Sequence, residues 1–173
     1  MAEKTKVVEV VPYDPAWKEE YLRIETRMLE IVGDLIIGAE HVGSTSVEGL
    51  WAKPVIDIDL VMESYDQLPE IIRRLESFGY MHQGNLGIEG REAFRSKQDD
   101  GFMKYHLYVC PQDGKGYLEH IVFRDYLRAH PSARREYQAV KQRLARQHRY
   151  DIDAYCEGKT AFVQSILQKA GEE

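Results

Sequence analysis

Two acidic side chains in the middle of the chain are spaced so that they could do chemistry together. Asp57 and Asp59 lie in the run PVIDIDLVM, residues 54–62, whose apolar and β-branched character is typical of a buried strand. Because alternate strand residues point to the same face, the two carboxylates share one face and Ile58 points to the other. Paired carboxylates repel each other unless a cation neutralises them, and oxygen ligands suit Mg²⁺ or Mn²⁺. The pair therefore predicts a divalent-metal site that could bridge phosphate oxygens.

A short polar turn precedes this strand. Gly43 permits a tight turn with close backbone approach. The three residues after it offer hydroxyl and backbone N–H groups to a phosphate: Ser44, Thr45 and Ser46. Lys53, just before the strand, adds positive charge. A Gly-Ser pair alone is usually only a turn, and an Asp-x-Asp alone is usually a solvated strand face. Together they predict a site for a metal and a phosphorylated ligand.

The elements that would position these groups follow from hydrophobic periodicity. The predicted strands span 6–11, 35–42, 54–62, 80–83, 92–97 and 103–110. The predicted helices span 15–33, 66–78, 117–130, 131–148 and 151–169. This order predicts an α+β domain, in which a mixed β-sheet is flanked by helices and the C-terminal third is helical.

Composition restricts the partners and the compartment. The 173 residues carry a formal net charge of −6 and are 43% hydrophobic, which favours one globular domain and does not favour a nucleic-acid partner. Cys110 and Cys156 form no CxxC motif, so no disulfide framework or zinc site is expected. The charged first residues contain no secretory signal, and no apolar stretch is long enough to span a membrane. We expect a cytoplasmic protein.

Longer segments around the turn and the strand resemble the GrpB family of the nucleotidyltransferase (polymerase-β-like) superfamily. The matching segments are EHVGSTSVEGLWAKPVIDI at 40–58, GREAFR at 90–95, HLYV at 106–109 and FRDYLRAHP at 123–131. The resemblance extends over nearly the whole chain and implies a single nucleotidyltransferase-fold domain, 1–173. Two positions depart from the family pattern: Glu48 replaces the usual proline, and Tyr108 replaces a common second histidine.

The resemblance implies a metal-dependent nucleotidyltransferase that uses a nucleoside triphosphate and an unknown small-molecule acceptor. Asp57 and Asp59 would be catalytic and would hold Mg²⁺ or Mn²⁺. Such enzymes usually have a third carboxylate on a neighbouring strand, where this chain has His106. That histidine could ligate the metal, act as a general base, or be purely structural. Glu92 and Glu119 are weaker candidates for the third acid.

Four arginines in the matching segments could bind the triphosphate together with the turn and Lys53. They are Arg91, Arg95, Arg124 and Arg128. The planar guanidinium group suits phosphate, and Arg124 and Arg128, four residues apart, share one helix face. Salt bridges with acidic neighbours are the structural alternative for each of them.

Two other functions remain open. The chain could be a catalytically impaired nucleotide-binding or interaction module, accessory to coenzyme A or nucleotide metabolism, because members of the resembled family occur fused to a kinase of coenzyme A biosynthesis. Metal-assisted phosphoester hydrolysis would use the same carboxylates, with water as the acceptor.

Overall fold

A computed structural model describes residues 6–173. Its centre is a five-stranded sheet with the order β1-β2-β5-β4-β3. The strands are β1 (Gly38–Val42), β2 (Ile56–Met62), β3 (Tyr80–His82), β4 (Glu92–Ser96) and β5 (Tyr105–Pro111). β2 and β5 are parallel, whereas the other neighbouring pairs are antiparallel. The mixed sheet predicted from the sequence is confirmed.

Five helices accompany the sheet, as periodicity predicts. They are α1 (Ala16–Val32), α2 (Leu68–Ser77), α3 (Lys115–Ala129), α4 (Pro131–Gln147) and α5 (Ile152–Glu172). Pro131 occupies the first position of α4, where its missing N–H removes no hydrogen bond. Short 3₁₀ turns form at Ser44–Ser46 and Tyr65–Gln67. None of the helices within 6–173 is both long and apolar enough to cross a membrane.

The strand predicted at 6–11 is wrong. Only Val11 in this segment pairs in the β manner, through an isolated antiparallel bridge with Ala52. Val8 instead donates its backbone N–H to the carbonyl of Arg149 and packs in a small cluster with Leu144 and Tyr155. Val8 and Val10 are therefore buried by the helical end of the chain, whereas Val11 packs against the main core.

The core lies on one face of the sheet, beneath α1 and α2. Ile56, Ile58 and Leu60 of β2 are fully buried there, together with Ile24 of α1 and Ile71 of α2. Each such side chain contributes about 1.5–3 kcal/mol through burial. Because strand residues alternate, this burial fixes the register of β2 and directs its two aspartates to the opposite face.

The C-terminal helices hold the segment that follows the serine turn. Val47 and Leu50 are almost fully buried in a second cluster with Leu127 of α3, Tyr137 of α4 and Ile166 of α5. The chain that joins the turn to β2 is thus fixed by the helical third, which determines where the turn lies relative to the aspartates.

Candidate functional site

The register of the two central strands assembles a polar face. In the parallel ladder, Asp57 is opposite His106 and Asp59 is opposite Tyr108. Residues directly opposite each other in a ladder point to the same side. The two carboxylates therefore share one face, as the sequence predicts, and the core lies on the other. His106 and Tyr108 lie on the same face as the carboxylates. We call this surface the carboxylate face.

Asp57 is the accessible member of the pair. Its Oδ1 lies 2.9 Å from Nδ1 of His106, and the two side chains are 28% and 40% exposed, respectively. The serine turn closes against the same carboxylate: a Cβ added to Gly43 would lie 2.2 Å from Oδ2 of Asp57. Gly43 also has a φ of 75°, which non-glycine residues rarely adopt. Only glycine lets the turn approach Asp57 this closely.

Asp59, in contrast to Asp57, is completely buried. Its Oδ2 lies 2.8 Å from Nδ1 of His120, a residue of α3 that covers the carboxylate face. Its Oδ1 is buried without a hydrogen-bond partner among the described residues. The hydrogen bond and charge of Asp59 outweigh the effect of burial and raise the pKa of His120 above 6.5. One carboxylate of the pair is thus open to solvent and the other lies under a histidine.

His120 was missed in the sequence analysis. A signal was available, because His120 precedes Arg124 by one helical turn and Arg124 precedes Arg128 by another. The face that carries the two arginines therefore also carries His120. Nothing in the sequence alone says that this face packs over the second aspartate.

The hydroxyls of the serine turn are engaged locally. Ser46 Oγ donates to the carbonyl of Gly43 at 2.5 Å, and Thr45 Oγ1 lies 2.9 Å from Nε2 of His41. Thr45, Ser46 and His41 line a cavity of about 900 Å³ between α1 and α3. Neither aspartate is among the described residues that line this cavity. The backbone of the turn touches Asp57, whereas the buried residues Thr45 and Ser46 line the cavity between α1 and α3.

A neutral histidine forms part of that cavity wall. His41 stacks on Tyr21 of α1 with a ring separation of 4.4 Å. Burial lowers the pKa of His41 to about 4, although the nearby charge of Asp57 acts in the opposite sense. His41 is therefore an uncharged hydrogen-bonding group near neutral pH.

The two arginines of α3 are bound within the protein. Arg124 is 9% exposed and pairs with Glu40 at 2.7 Å and with Asp125 at 2.9 Å. It also donates to the carbonyl of His41 at 3.0 Å. Arg128 donates to the carbonyl of Ser46 at 2.7 Å. Both side chains brace β1 and the serine turn against α3.

The other two arginines extend from the β4 region toward the carboxylate face. Ala93 is opposite Tyr108, so alternation places Arg91 and Arg95 on the side of the two aspartates. The guanidinium carbon of Arg91 lies 4.2 Å from the centroid of the Tyr108 ring, and its Nε is buried without a partner among residues 6–173. Arg95 lines a smaller cavity of about 340 Å³ together with His106 and Tyr108.

The two glutamates considered as a third acid lie elsewhere. Glu92 is opposite the buried Val109 on the core side and pairs with His82 at 3.0 Å. Glu119 is 40% exposed and pairs with Lys115 at 3.6 Å. Across 6–173, no three carboxylate, imidazole or thiol side chains are grouped closely enough to hold a metal ion.

The residues present nevertheless fit a cation that is shared with a substrate. Magnesium is usually bound by one or two carboxylates together with substrate phosphates and water, and does not need a cage made only of protein ligands. Asp57 supplies an accessible carboxylate, and Oδ1 of Asp59 is a buried oxygen to which no group of residues 6–173 donates. An unpaired carboxylate oxygen of this kind is costly unless a donor or cation reaches it. The donor set therefore suits Mg²⁺ or Mn²⁺.

Comparison with solved structures defines the class of protein. The poly(U) polymerase Cid1, solved in complex with its short product ApU, superposes with a TM-score of 0.54 at 12% identity, over 76% of this chain and 42% of that one. A similarity at this identity concerns the fold alone, and the fold is nucleotidyltransferase-like.

Closer relatives define the family. The family model described as GrpB protein matches residues 7–169, and the chain belongs to this family. The crystal structure of the conserved protein GrpB from Enterococcus faecalis superposes with a TM-score of 0.82 at 31% identity, covering 94% of this chain and 96% of that one. The UPF0157 protein YqkA of Bacillus subtilis is 32% identical over 94% of this chain and 47% of its own length. The chain thus spans about half the length of this curated relative.

Proposed function

We propose that this protein is a metal-dependent nucleotidyltransferase, which moves a nucleotidyl group from a nucleoside triphosphate to the hydroxyl or phosphate of a small-molecule acceptor. The observation that carries the proposal is the pair of aspartates on one strand face, beside a glycine turn that touches Asp57. Asp57 is accessible, and Asp59 has a buried oxygen with no hydrogen-bond partner in the described part of the chain. The nucleotidyltransferase-like fold supports it.

The roles of the residues follow from their positions. Asp57 and Asp59 would hold the metal, which neutralises charge on the phosphates and makes the acceptor hydroxyl more acidic. His106, bonded to Asp57 through Nδ1, would accept the acceptor proton at Nε2. Arg91, stacked on Tyr108 beside the carboxylates, would bind a phosphate oxygen, as would Arg95. The backbone of Gly43 would bring the turn close to the reacting phosphate.

A thermal-shift screen tests the proposal, followed by an assay of pyrophosphate release. The four nucleoside triphosphates are screened with Mg²⁺, with Mn²⁺ and with EDTA. A triphosphate at 100 times its dissociation constant adds about 2.7 kcal/mol of stability, and we expect this shift only when the metal is present. Asp57→Asn should remove the shift, and Asp66→Asn, a change on an exposed 3₁₀ turn, should keep it. Equal shifts in wild type and Asp57→Asn would contradict the metal site.

One observation favours a second function. Asp59 is sealed beneath His120, and each aspartate is already paired with an imidazole. This arrangement suits a module of the same fold that binds a nucleotide without transferring it. Metal-dependent triphosphate binding without pyrophosphate release, whichever acceptor is supplied, would support the module over the enzyme.

A further inference from the structure

The cavity between α1 and α3 takes no part in the proposed reaction. Its volume of about 900 Å³ is within the range of pockets that hold small molecules. Neither Asp57 nor Asp59 is among the described residues that line it. The proposed nucleotidyl transfer therefore assigns no ligand to this space. We call it the α1–α3 cavity.

One face of α1 presents charges of opposite sign to the α1–α3 cavity. Lys18 and Glu25 both line it, and so do Tyr21 and Leu22 between them. The spacing of three and four residues places all four side chains on the same helix face. Tyr21 stacks on His41 of β1 at a ring separation of 4.4 Å. A base therefore lies one helical turn before this aromatic pair, and an acid lies one turn after it.

Two arginines line the same cavity near its basic end. Arg128, at the end of α3, donates to the carbonyl of Ser46 at 2.7 Å. Arg134, at the start of α4, donates to the carbonyl of Arg128 at 2.8 Å, so the two residues are neighbours. Burial raises the pKa of Tyr13, which precedes α1 and lines the cavity, and the nearby charge of Arg128 opposes this rise. Both arginines are therefore at the end of α1 that carries Lys18.

These charged groups have no ionic partner within the described part of the chain. None of the ion pairs formed by residues 6–173 involves Lys18, Glu25 or either arginine. Glu48 also lines the cavity, but it is exposed and the three bases outnumber it. Glu40, another acid in the wall, is paired with Arg124. The cavity thus has a positive end and an acid two helical turns away, which suits a ligand of complementary charges.

We propose that the α1–α3 cavity binds an extended zwitterion, which is a chain with a carboxylate at one end and an ammonium group at the other. The carboxylate lies among Lys18, Arg128 and Arg134, the ammonium group lies at Glu25, and the body of the chain lies along Tyr21. Lys18 and Glu25 are separated by about 10 Å along the axis of α1. An extended chain of three residues has about this length. A short peptide and a longer ω-amino acid are therefore the two sources of such a ligand.

Calorimetry on the full chain, with EDTA present, tests the site with triglycine and 6-aminohexanoate. We expect wild type to bind triglycine. Binding of 6-aminohexanoate that is at least as tight would assign the recognition to the end charges, and tighter binding of triglycine would assign it to peptides. No binding of either probe would overturn the proposal.

Three related probes test which parts of the ligand are recognised. N-acetyl-triglycine lacks the ammonium group, triglycinamide lacks the carboxylate, and glycine carries both charges but is too short to reach both ends. We expect each to bind at least about tenfold more weakly than triglycine, because each loses a charge-assisted contact. Equal affinities for triglycine and N-acetyl-triglycine would overturn the assignment of a zwitterion.

Variants of α1 test the location. Lys18→Gln and Glu25→Gln should each weaken the binding of triglycine at least about tenfold. Glu25→Gln should not change the affinity for N-acetyl-triglycine, which has no ammonium group to lose a partner. The matched controls are Lys169→Gln and Glu19→Gln, because both residues are exposed and lie outside the described cavity lining. Both controls should bind triglycine as wild type does, and equal weakening by Glu25→Gln and Glu19→Gln would overturn the location.

This site and the proposed function can fail separately, because triglycine binding is measured without metal or nucleotide. Triglycine binding that is lost in Lys18→Gln would support the cavity site even if no triphosphate binds. Metal-dependent triphosphate binding, without binding of either zwitterion, would reject the cavity site alone.

Discussion

Asp59 of β2 and His120 of α3 form a hydrogen bond of 2.8 Å between Oδ2 and Nδ1, although 61 residues separate them in the sequence. The carboxylate is fully buried and the imidazole is 36% exposed. The histidine therefore stands between the inner aspartate and solvent. Access of any cation to Asp59 depends on how α3 packs over the sheet.

Removal of His120 should destabilise the fold. His120→Ala leaves a buried carboxylate whose other oxygen already has no partner among the residues that the structure describes, so we expect the free energy of unfolding to fall by about 1–3 kcal/mol. Urea denaturation measures this change in the free energy of unfolding. The double variant Asp59→Asn with His120→Ala should lose less than the sum of the two single changes. Additive losses would show that the hydrogen bond contributes no coupling.

The same pair predicts a pH dependence. Asp59 raises the pKa of His120 above the ordinary 6.5, so the folded state holds this proton more tightly than the unfolded chain. The extra stability is fully present below pH 6.5 and is lost as pH rises through the folded pKa. The stability difference between wild type and His120→Gln should therefore decrease from pH 6 to pH 9. A stability difference that stays constant or grows as pH rises would contradict a charged pair of Asp59 and His120.

Two glycine substitutions isolate the contact between the turn and Asp57. Gly43 and Gly49 both have positive φ values, of 75° and 83°, so alanine should cost about 1–3 kcal/mol in backbone strain at either position. A Cβ at Gly49 meets no atom of residues 6–173 within 4 Å, whereas a Cβ at Gly43 collides with Oδ2 of Asp57. We expect Gly43→Ala to be the less stable variant in urea and to lose metal-dependent triphosphate binding, which Gly49→Ala retains. Equal stability and equal triphosphate binding of the two variants would show that the turn does not constrain Asp57.

Arg124 is expected to be a brace and not a ligand for phosphate. Arg124→Gln removes the ion pair with Glu40, whose side chain is 38% exposed, and the hydrogen bond from the buried guanidinium to the carbonyl of His41, and should cost about 1–3 kcal/mol. Arg23→Gln, which breaks an exposed pair with Glu20, should cost less than about 1 kcal/mol. Thermal and urea unfolding compare the two. An Arg124→Gln variant that is as stable as wild type yet binds triphosphate poorly would contradict the structural role. It would instead support the phosphate-binding role that the sequence predicts for Arg124.

The sequence predicts the elements well because their signals are local. Alternation in PVIDIDLVM predicts the buried strand and the shared face of Asp57 and Asp59, and periodicity predicts all five helices. The GrpB family and the nucleotidyltransferase-like fold, inferred from longer motifs, are confirmed. The strand predicted at 6–11 is wrong because a short apolar run does not reveal what a segment packs against, and here Val8 and Val10 pack on the helical third.

The site itself is less predictable because its contacts are tertiary. The sequence treats Arg124 and Arg128 like Arg91 and Arg95, and only the packing of α3 shows that the first two bind protein atoms. The burial of Asp59 under His120 and the position of Lys53 over the ring of Tyr155 arise in the same way, from helices of the last third that fold back over the sheet. Residue types identify candidates for chemistry, and packing decides which of them remain accessible.

A crystal structure with Mn²⁺ and a non-hydrolysable nucleoside triphosphate analogue tests the central claim most directly. The account predicts anomalous scattering from a manganese ion bonded to a carboxylate oxygen of Asp57 and to a phosphate oxygen. The same crystals of Asp57→Asn should lack that peak. An analogue bound elsewhere on the molecule, or manganese absent from Asp57 with the nucleotide present, would contradict the account.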